Sequence, residues 1–346
     1  MSAGEESARP RQGGLFGPLD PPAEETGRSP GRPEVAAASV GQDARQLAAS
    51  LSPRLRFGTS SWAFPGWRGA VYAPDAPKRH LSRHGLAAYA AHPLLRAVGV
   101  DRTFYAPIDA SAFRDYADQV PDDFRFLVKA WTEVTAPRLR GRNGLNPNFL
   151  DPDCAADRCV GPATEGLGEK LGPMLLQFPP QGPSATRAPD RWTDQLHAFL
   201  DALPKGPQYV VELRDEALFT ERHVAALRAA GAHHGYVAHP RMPSLQRQRE
   251  LAPPDGPVTV RWMLHAGFEY EQAKERYEPF DALVDEDPPT RAQIAELAVE
   301  AAALDVEMVV VVNNKAEGSS PLSVLELARA IVQASADAAP RSTSAS

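Results

Sequence analysis

Eight short apolar runs recur along the chain, and most of them end in a polar or charged residue. They occupy residues 55–61, 95–101, 124–129, 173–177, 208–212, 233–238, 258–264 and 306–313. Short, nearly continuous apolar runs read as strands buried on both faces. Stretches of helical periodicity separate most of them. Eight such strands alternating with helices predict an α/β fold, a closed (β/α)8 TIM-like barrel with parallel strands. A barrel of this kind takes roughly 250 residues. The runs and their helices span 53–334, so one barrel domain over residues 53–335 accounts for all the patterned sequence.

The flanks read differently. Residues 1–52 are rich in Pro, Gly, Ala, Glu and Arg and show no sustained periodicity. Such a segment buries too little apolar area to offset its ordering entropy, so a disordered tail is expected. Residues 336–346 read as a second, C-terminal tail. Within the first, Gln12, Leu15 and Phe16 form a Q-x-x-L-F peptide. It resembles the short peptide that docks into the bacterial sliding clamp, where Leu and Phe fill an apolar pocket while Gln hydrogen-bonds.

Helical stripes fill the gaps between the runs. Phe113, Tyr116, Ala117 and Val120 share one face, with Asp109 or Ser111 as N-cap. Leu196, Phe199, Leu200 and Leu203 form a second stripe that Pro204 ends. Val224, Leu227 and Arg228 belong to a third that Gly231 closes. The stripes from Ile294 to Leu304 and from Val324 to Ile331 complete the set. The connection 131–171 is long and carries the turn pairs Asn143-Gly144 and Asn146-Pro147, which marks it as a candidate lid. The connection 266–290 is the other long one and holds an aromatic-acidic stretch.

Charge narrows the partners. Forty-four acidic against 37 basic residues leave a net charge of −7, so no global field draws the chain to nucleic acid or to an anionic membrane. Local basic faces stay open at 137–142 (PRLRGR) and 241–249 (RMPSLQRQR). No apolar leader and no run of 18 apolar residues occurs, which predicts a cytoplasmic protein without a membrane span. The two cysteines, Cys154 and Cys159, lack the second pair that a four-ligand zinc site needs.

In a barrel of this type the chemistry sits at the carboxyl ends of the strands. Side chains two apart share a face of a strand. Glu212 and Arg214 therefore point together into the mouth, a carboxylate suited to acid–base work beside a guanidinium suited to an anion. Lys129 ends the third run, where an amine can bind an anion or form a Schiff base. Asp101 and Tyr105 share parity with Thr103 and with Gly99, which leaves room inside, so Asp101 is expected to line the mouth as a catalytic candidate and Tyr105 as a substrate contact. Gln177, Asn313 and Asn314 are amides at strand ends, poor core residues that suit a polar ligand. Trp62 ends the first run and suits either stacking on a ligand or capping of the core. No H-x-H, H-E-x-x-H, G-x-S-x-G, phosphate-loop or dinucleotide pattern occurs, so neither metal nor cofactor is expected.

Several segments, taken together, resemble the domain of unknown function 72 family, the YecE-like TIM barrels. They are GTSSWAFPGWRGAVYAP from Gly58, TFYAP from Thr103, FRFLVKA from Phe124, EKLGPMLLQFPP from Glu169, VVELRD from Val210 and VNNKAEGSSP from Val312. They come in family order and cover nearly all of 55–334. The resemblance implies the barrel and supplies no reaction. The sequence departs from the family pattern at Gly99, Asp101 and Arg102 in the second run and at Asp215 after the fifth. It departs again after Arg261, where WMLHAG displaces His265.

The residues together predict an enzyme acting on a small polar or anionic substrate at the barrel mouth. Glu212 serves as acid/base there, Lys129 and Arg214 bind the anion, and the three amides orient it. Glu212→Gln is expected to abolish turnover and leave the fold intact. A nucleic-acid-associated protein, DNA-processing or clamp-tethered, and a non-catalytic small-molecule sensor are the two alternatives.

Overall fold

Each of the eight apolar runs becomes a strand in the computed structural model, which describes residues 35–139 and 141–338. The strands are β1 Leu55–Thr59, β2 Leu95–Val100, β3 Arg125–Lys129, β4 Leu171–Gln177, β5 Tyr209–Glu212, β6 His233–Ala238, β7 Val258–Trp262 and β8 Met308–Val312. They pair in sequence order, and β8 closes on β1 to complete the barrel. Every pairing is parallel. Burial of both faces explains why the runs are continuous rather than alternating: β8 reads MVVVV, and all five residues are buried.

The longer helices are α1 Gln42–Ser50, α2 Ala110–Ala117, α3 Gly161–Leu167, α4 Pro189–Ala202, α5 Glu221–Ala230, α6 Leu245–Leu251, α7 Tyr270–Tyr277, α8 Pro288–Ala303 and α9 Ser320–Ala338. Their termini carry the signals seen in the sequence. The Asp109 carboxylate accepts the Ala112 amide at 2.9 Å and starts α2. Thr220 and Asp287 cap α5 and α8 in the same way. Gly231 ends α5 in the left-handed region at φ 71°, a conformation that costs glycine nothing. The predicted stripes turn inward: Leu196, Phe199 and Leu200 of α4 and Val224 and Leu227 of α5 are all buried.

Two expectations are corrected. The tail expected through residue 52 is not all tail, because α1 forms within it. Its repeat of Val40, Ala44, Leu47 and Ala48 packs on the core, and Asp43 forms an ion pair with Arg329 of α9. The stripe is short and Ala-rich, too weak a signal beside the Pro-rich stretch that precedes it. The clamp-like peptide Gln12, Leu15, Phe16 lies outside the described residues. The second correction concerns alternation after β2. The strand stops at Val100, and Asp101–Phe104 form a tight helical turn. Thr103 is thereby buried, donating to the Val100 and Lys129 carbonyls, while Tyr105 is 53% exposed.

The connection 131–171 is built rather than open. It contains α3 and shorter helical turns. The buried Asn146 side chain donates to the carbonyls of Glu133 and Ala136 and accepts the Asn148 amide at 3.0 Å.

Candidate active site

The barrel interior is stratified. Its apolar layer is Ala97, Leu127, Leu175, Val210, Val309 and Val311. Alternation then places the next inward residues toward the carboxyl ends at Gly99, Lys129, Gln177, Glu212 and Asn313. The register pairs Gln177 with Glu212 within this layer, and the stagger between strands sets Lys129 beside Leu175 and Arg261 beside Val311 of the floor. One strand step therefore converts a hydrocarbon floor into a charged layer.

Glu212 is the centre of that layer. One carboxylate oxygen accepts Arg214 Nη2 at 2.5 Å, and the other faces Arg261 Nε at 3.5 Å. Arg261 Nη2 lies 3.6 Å from Asp101 Oδ1. Glu212 and Arg261 are fully buried, and Lys129 and Arg214 are each 8% exposed. Lys129 Nζ stands 3.8 Å from the centre of the Phe104 ring. Burial pulls the Lys129 amine down to about 8; Asp101 and Glu212 oppose that shift, and Arg261 and Arg214 add to it.

The layer holds more positive than negative charge. Lys129, Arg214 and Arg261 face only Asp101 and Glu212. Arg214 Nη1 and all three guanidinium nitrogens of Arg261 are buried without a hydrogen-bond partner among the described residues. The contacts of Arg261 at 3.5 and 3.6 Å are Coulombic and too long to be hydrogen bonds. His239 reports the same imbalance. Burial, then the charges of Arg214, Arg241 and Arg261, push its imidazole down to about 3. Buried guanidinium nitrogens left without a hydrogen bond are costly, and an incoming anion that accepts from them lowers that cost.

The remaining sequence candidates fall into two groups. Gln177 is half-buried at the mouth, and its amide makes no hydrogen bond among the described residues. Tyr105 lies at the rim. Asn313 is committed to structure in part: its amide donates to Ser60 at 3.2 Å and its oxygen accepts the Lys315 amide at 3.0 Å. Asn314 turns away from the charged layer. Its oxygen accepts Trp67 Nε1 at 3.1 Å and both the amide and hydroxyl of Ser320 at 2.8 Å. Trp62 is also a packing residue, with its indole donating to the Ser82 carbonyl and its ring 5.1 Å from Tyr116. Gly99 leaves little room, since a Cβ there would stand 3.3 Å from the Ser60 Cα. Asp215, a departure from the family pattern, accepts the Gln181 amide at 2.5 Å and pins the loop after β4.

Sequence reasoning did not place Arg261 in the charged layer. The signal for Arg261 was the one that found Glu212, a charge inside an apolar strand. Among the described residues, no group of three or more His, Cys, Asp or Glu side chains is placed to hold a metal ion.

Comparison with known proteins gives a consistent picture. Residues 56–345 match the family described as "Protein of unknown function DUF72". The barrel superposes on a DUF72 family protein of Thermotoga maritima with a TM-score of 0.54 at 21% identity, covering 80% of this chain and 98% of that one. A DUF72 family protein of Enterococcus faecalis gives a TM-score of 0.51 at 16% identity, covering 82% and 95%. No curated protein matches the sequence.

Proposed function

The chain belongs to the DUF72 family, and from that premise and the charge of its mouth we propose that it is an acid–base enzyme acting on a small anionic substrate. The observation that carries this reading is the set of buried guanidinium nitrogens on Arg214 and Arg261 that make no hydrogen bond among the described residues. They are fixed donors in a layer with more positive than negative groups, the arrangement that binds a carboxylate or phosphate with little reorganisation.

On this reading the roles are distributed differently from the sequence expectation. Glu212 is clamped between two guanidinium groups and fully buried, so its work is to hold Arg214 and Arg261 in place. Lys129 carries the proton. Its amine, drawn down to about 8, exists in both protonation states near neutral pH, as a general acid/base requires. The mouth therefore suits proton transfer at a carbon or oxygen beside the bound anionic group. Gln177 offers a free amide to the same ligand.

Thermal unfolding of the full chain with inorganic phosphate, acetate or a short DNA duplex tests the reading. Phosphate or acetate raises the Tm of the native protein and leaves that of Arg214→Met unmoved. A flat response to both anions with a rise on DNA overturns it in favour of a nucleic-acid role.

A further inference from the structure

Beside the charged layer lies a second amine. Lys315 follows β8 by three residues, and Asn313 between them ties the strand end to Ser60. The side chain is 1% exposed. Its Nζ lies 4.2 Å from the centre of the Tyr270 ring and 5.7 Å from that of Phe280. Both rings come from the connection after β7, whose His265 amide is anchored on the Lys315 carbonyl at 2.9 Å. No carboxylate lies within ion-pair distance of this ammonium among the described residues, and it makes no hydrogen bond to them. Its stabilisation comes from the two ring faces.

The charged groups around it act in both directions. On α7, Lys274 opposes the ammonium and Glu271 supports it, with the lysine acting more strongly. Glu278, after the helix, and Asp101, from the end of β2, also support it. Burial is the largest influence, and the amine is drawn down to about 8. Asp101 favours the charged form of Lys129 as well, and Lys315 stands two residues after Asn313, which continues the inward row of β8 into the charged layer. Arg261 already approaches Asp101 at 3.6 Å.

We propose, building on the anion-binding reading above, that Lys315 forms a second anionic subsite and that the substrate is a small molecule carrying two separated anionic groups. One group sits against Arg214, Arg261 and Lys129. The other reaches Lys315 from beneath Tyr270. The two rings against Nζ lower the local dielectric, which strengthens a charge pair with the ammonium. The segment carrying α7 is then the specificity element, because it supplies both rings.

The test compares diacids with monoacids of equal chain length by calorimetry on the full chain, using succinate against butyrate and glutarate against pentanoate, with inorganic phosphate as reference. At least one diacid binds about tenfold tighter than its monoacid partner, the margin of one additional charge pair. Lys315→Met and Lys315→Gln each bring the diacid down to the level of the monoacid. Both variants fold, because an unpaired buried ammonium gives way to a side chain of similar length. Binding of the preferred diacid at pH 8.5 takes up protons, seen as a buffer-dependent heat, and Lys315→Met reduces that uptake. Equal affinity of diacid and monoacid, or a margin that survives both variants, overturns this inference while phosphate binding keeps the mouth reading intact. If phosphate, monoacids and diacids all fail to bind, the mouth reading falls and this inference with it.

Discussion

Replacing Glu212 by glutamine keeps the shape of the side chain and removes the charge between two buried guanidinium groups. The sequence alone predicts a folded, inactive variant; the structure predicts a destabilised one. Glu212 is fully buried, 2.5 Å from Arg214 and 3.5 Å from Arg261. Deleting one partner of a buried pair costs about 3–5 kcal/mol, because the charge left behind has neither water nor counter-ion. The glutamine oxygen still accepts one hydrogen bond from Arg214, which places the expected loss near 3 kcal/mol, at the low end of that range. At about 2–4 °C per kcal/mol for a domain of this size, the Tm falls by roughly 6–12 °C. Urea unfolding followed by tryptophan fluorescence measures it. Two controls separate charge from packing. The double variant Glu212→Gln/Arg261→Met recovers about 1–3 kcal/mol relative to the sum of the single losses. Inorganic phosphate stabilises Glu212→Gln more than the native protein, since it refills the vacated charge. A loss below about 1 kcal/mol with strict additivity refutes the reasoning that Glu212 holds the cationic mouth together.

Three further outcomes follow from the packing. His92, His223 and His234 are buried neutral and lowered to about 4, 3 and 4. Each folded value lies below the unfolded value of about 6.5. Their contribution is therefore complete above pH 6.5 and drains away as pH falls toward 4, at up to about 1.4 kcal/mol per histidine per pH unit; urea midpoints between pH 7.5 and 5 check it, and a flat profile contradicts it. Asn314→Ala strands the indole N–H of Trp67 and costs about 1–3 kcal/mol, yet phosphate affinity in calorimetry is unchanged, because this amide does not face the mouth. Gly58→Ala presses a methyl into the Ala97 carbonyl and parts β1 from β2, which a lower urea midpoint and faster amide exchange in both strands reveal.

The fold was legible because burial on both faces writes a strand as an unbroken apolar run, and each run such as MVVVV at β8 ends within a residue or two of the predicted edge. Glu212, Arg214 and Lys129 were legible for the converse reason, that a charge in such a run must be satisfied from inside the barrel. The site blurred wherever the strand ended. After Val100 the backbone turns helical, so parity misplaced Thr103 and Tyr105. Asn313 and Asn314 looked alike in sequence, but one backbone step sends the first to Ser60 and the second to Trp67 and Ser320. The surroundings of Lys315 were not legible because its neighbours, Tyr270 and Phe280, arrive from another connection some forty residues away.

The claim that two depressed amines stand in one anion-binding mouth is tested most directly by titrating the lysines themselves. The chain has six. With lysine labelled at the ε-carbon and NMR spectra recorded from pH 6 to 11, the account predicts two signals with midpoints at about 8. One disappears in Lys129→Met and the other in Lys315→Met, and inorganic phosphate moves the Lys129 midpoint upward. Six signals titrating together above pH 10, unmoved by phosphate, would contradict it.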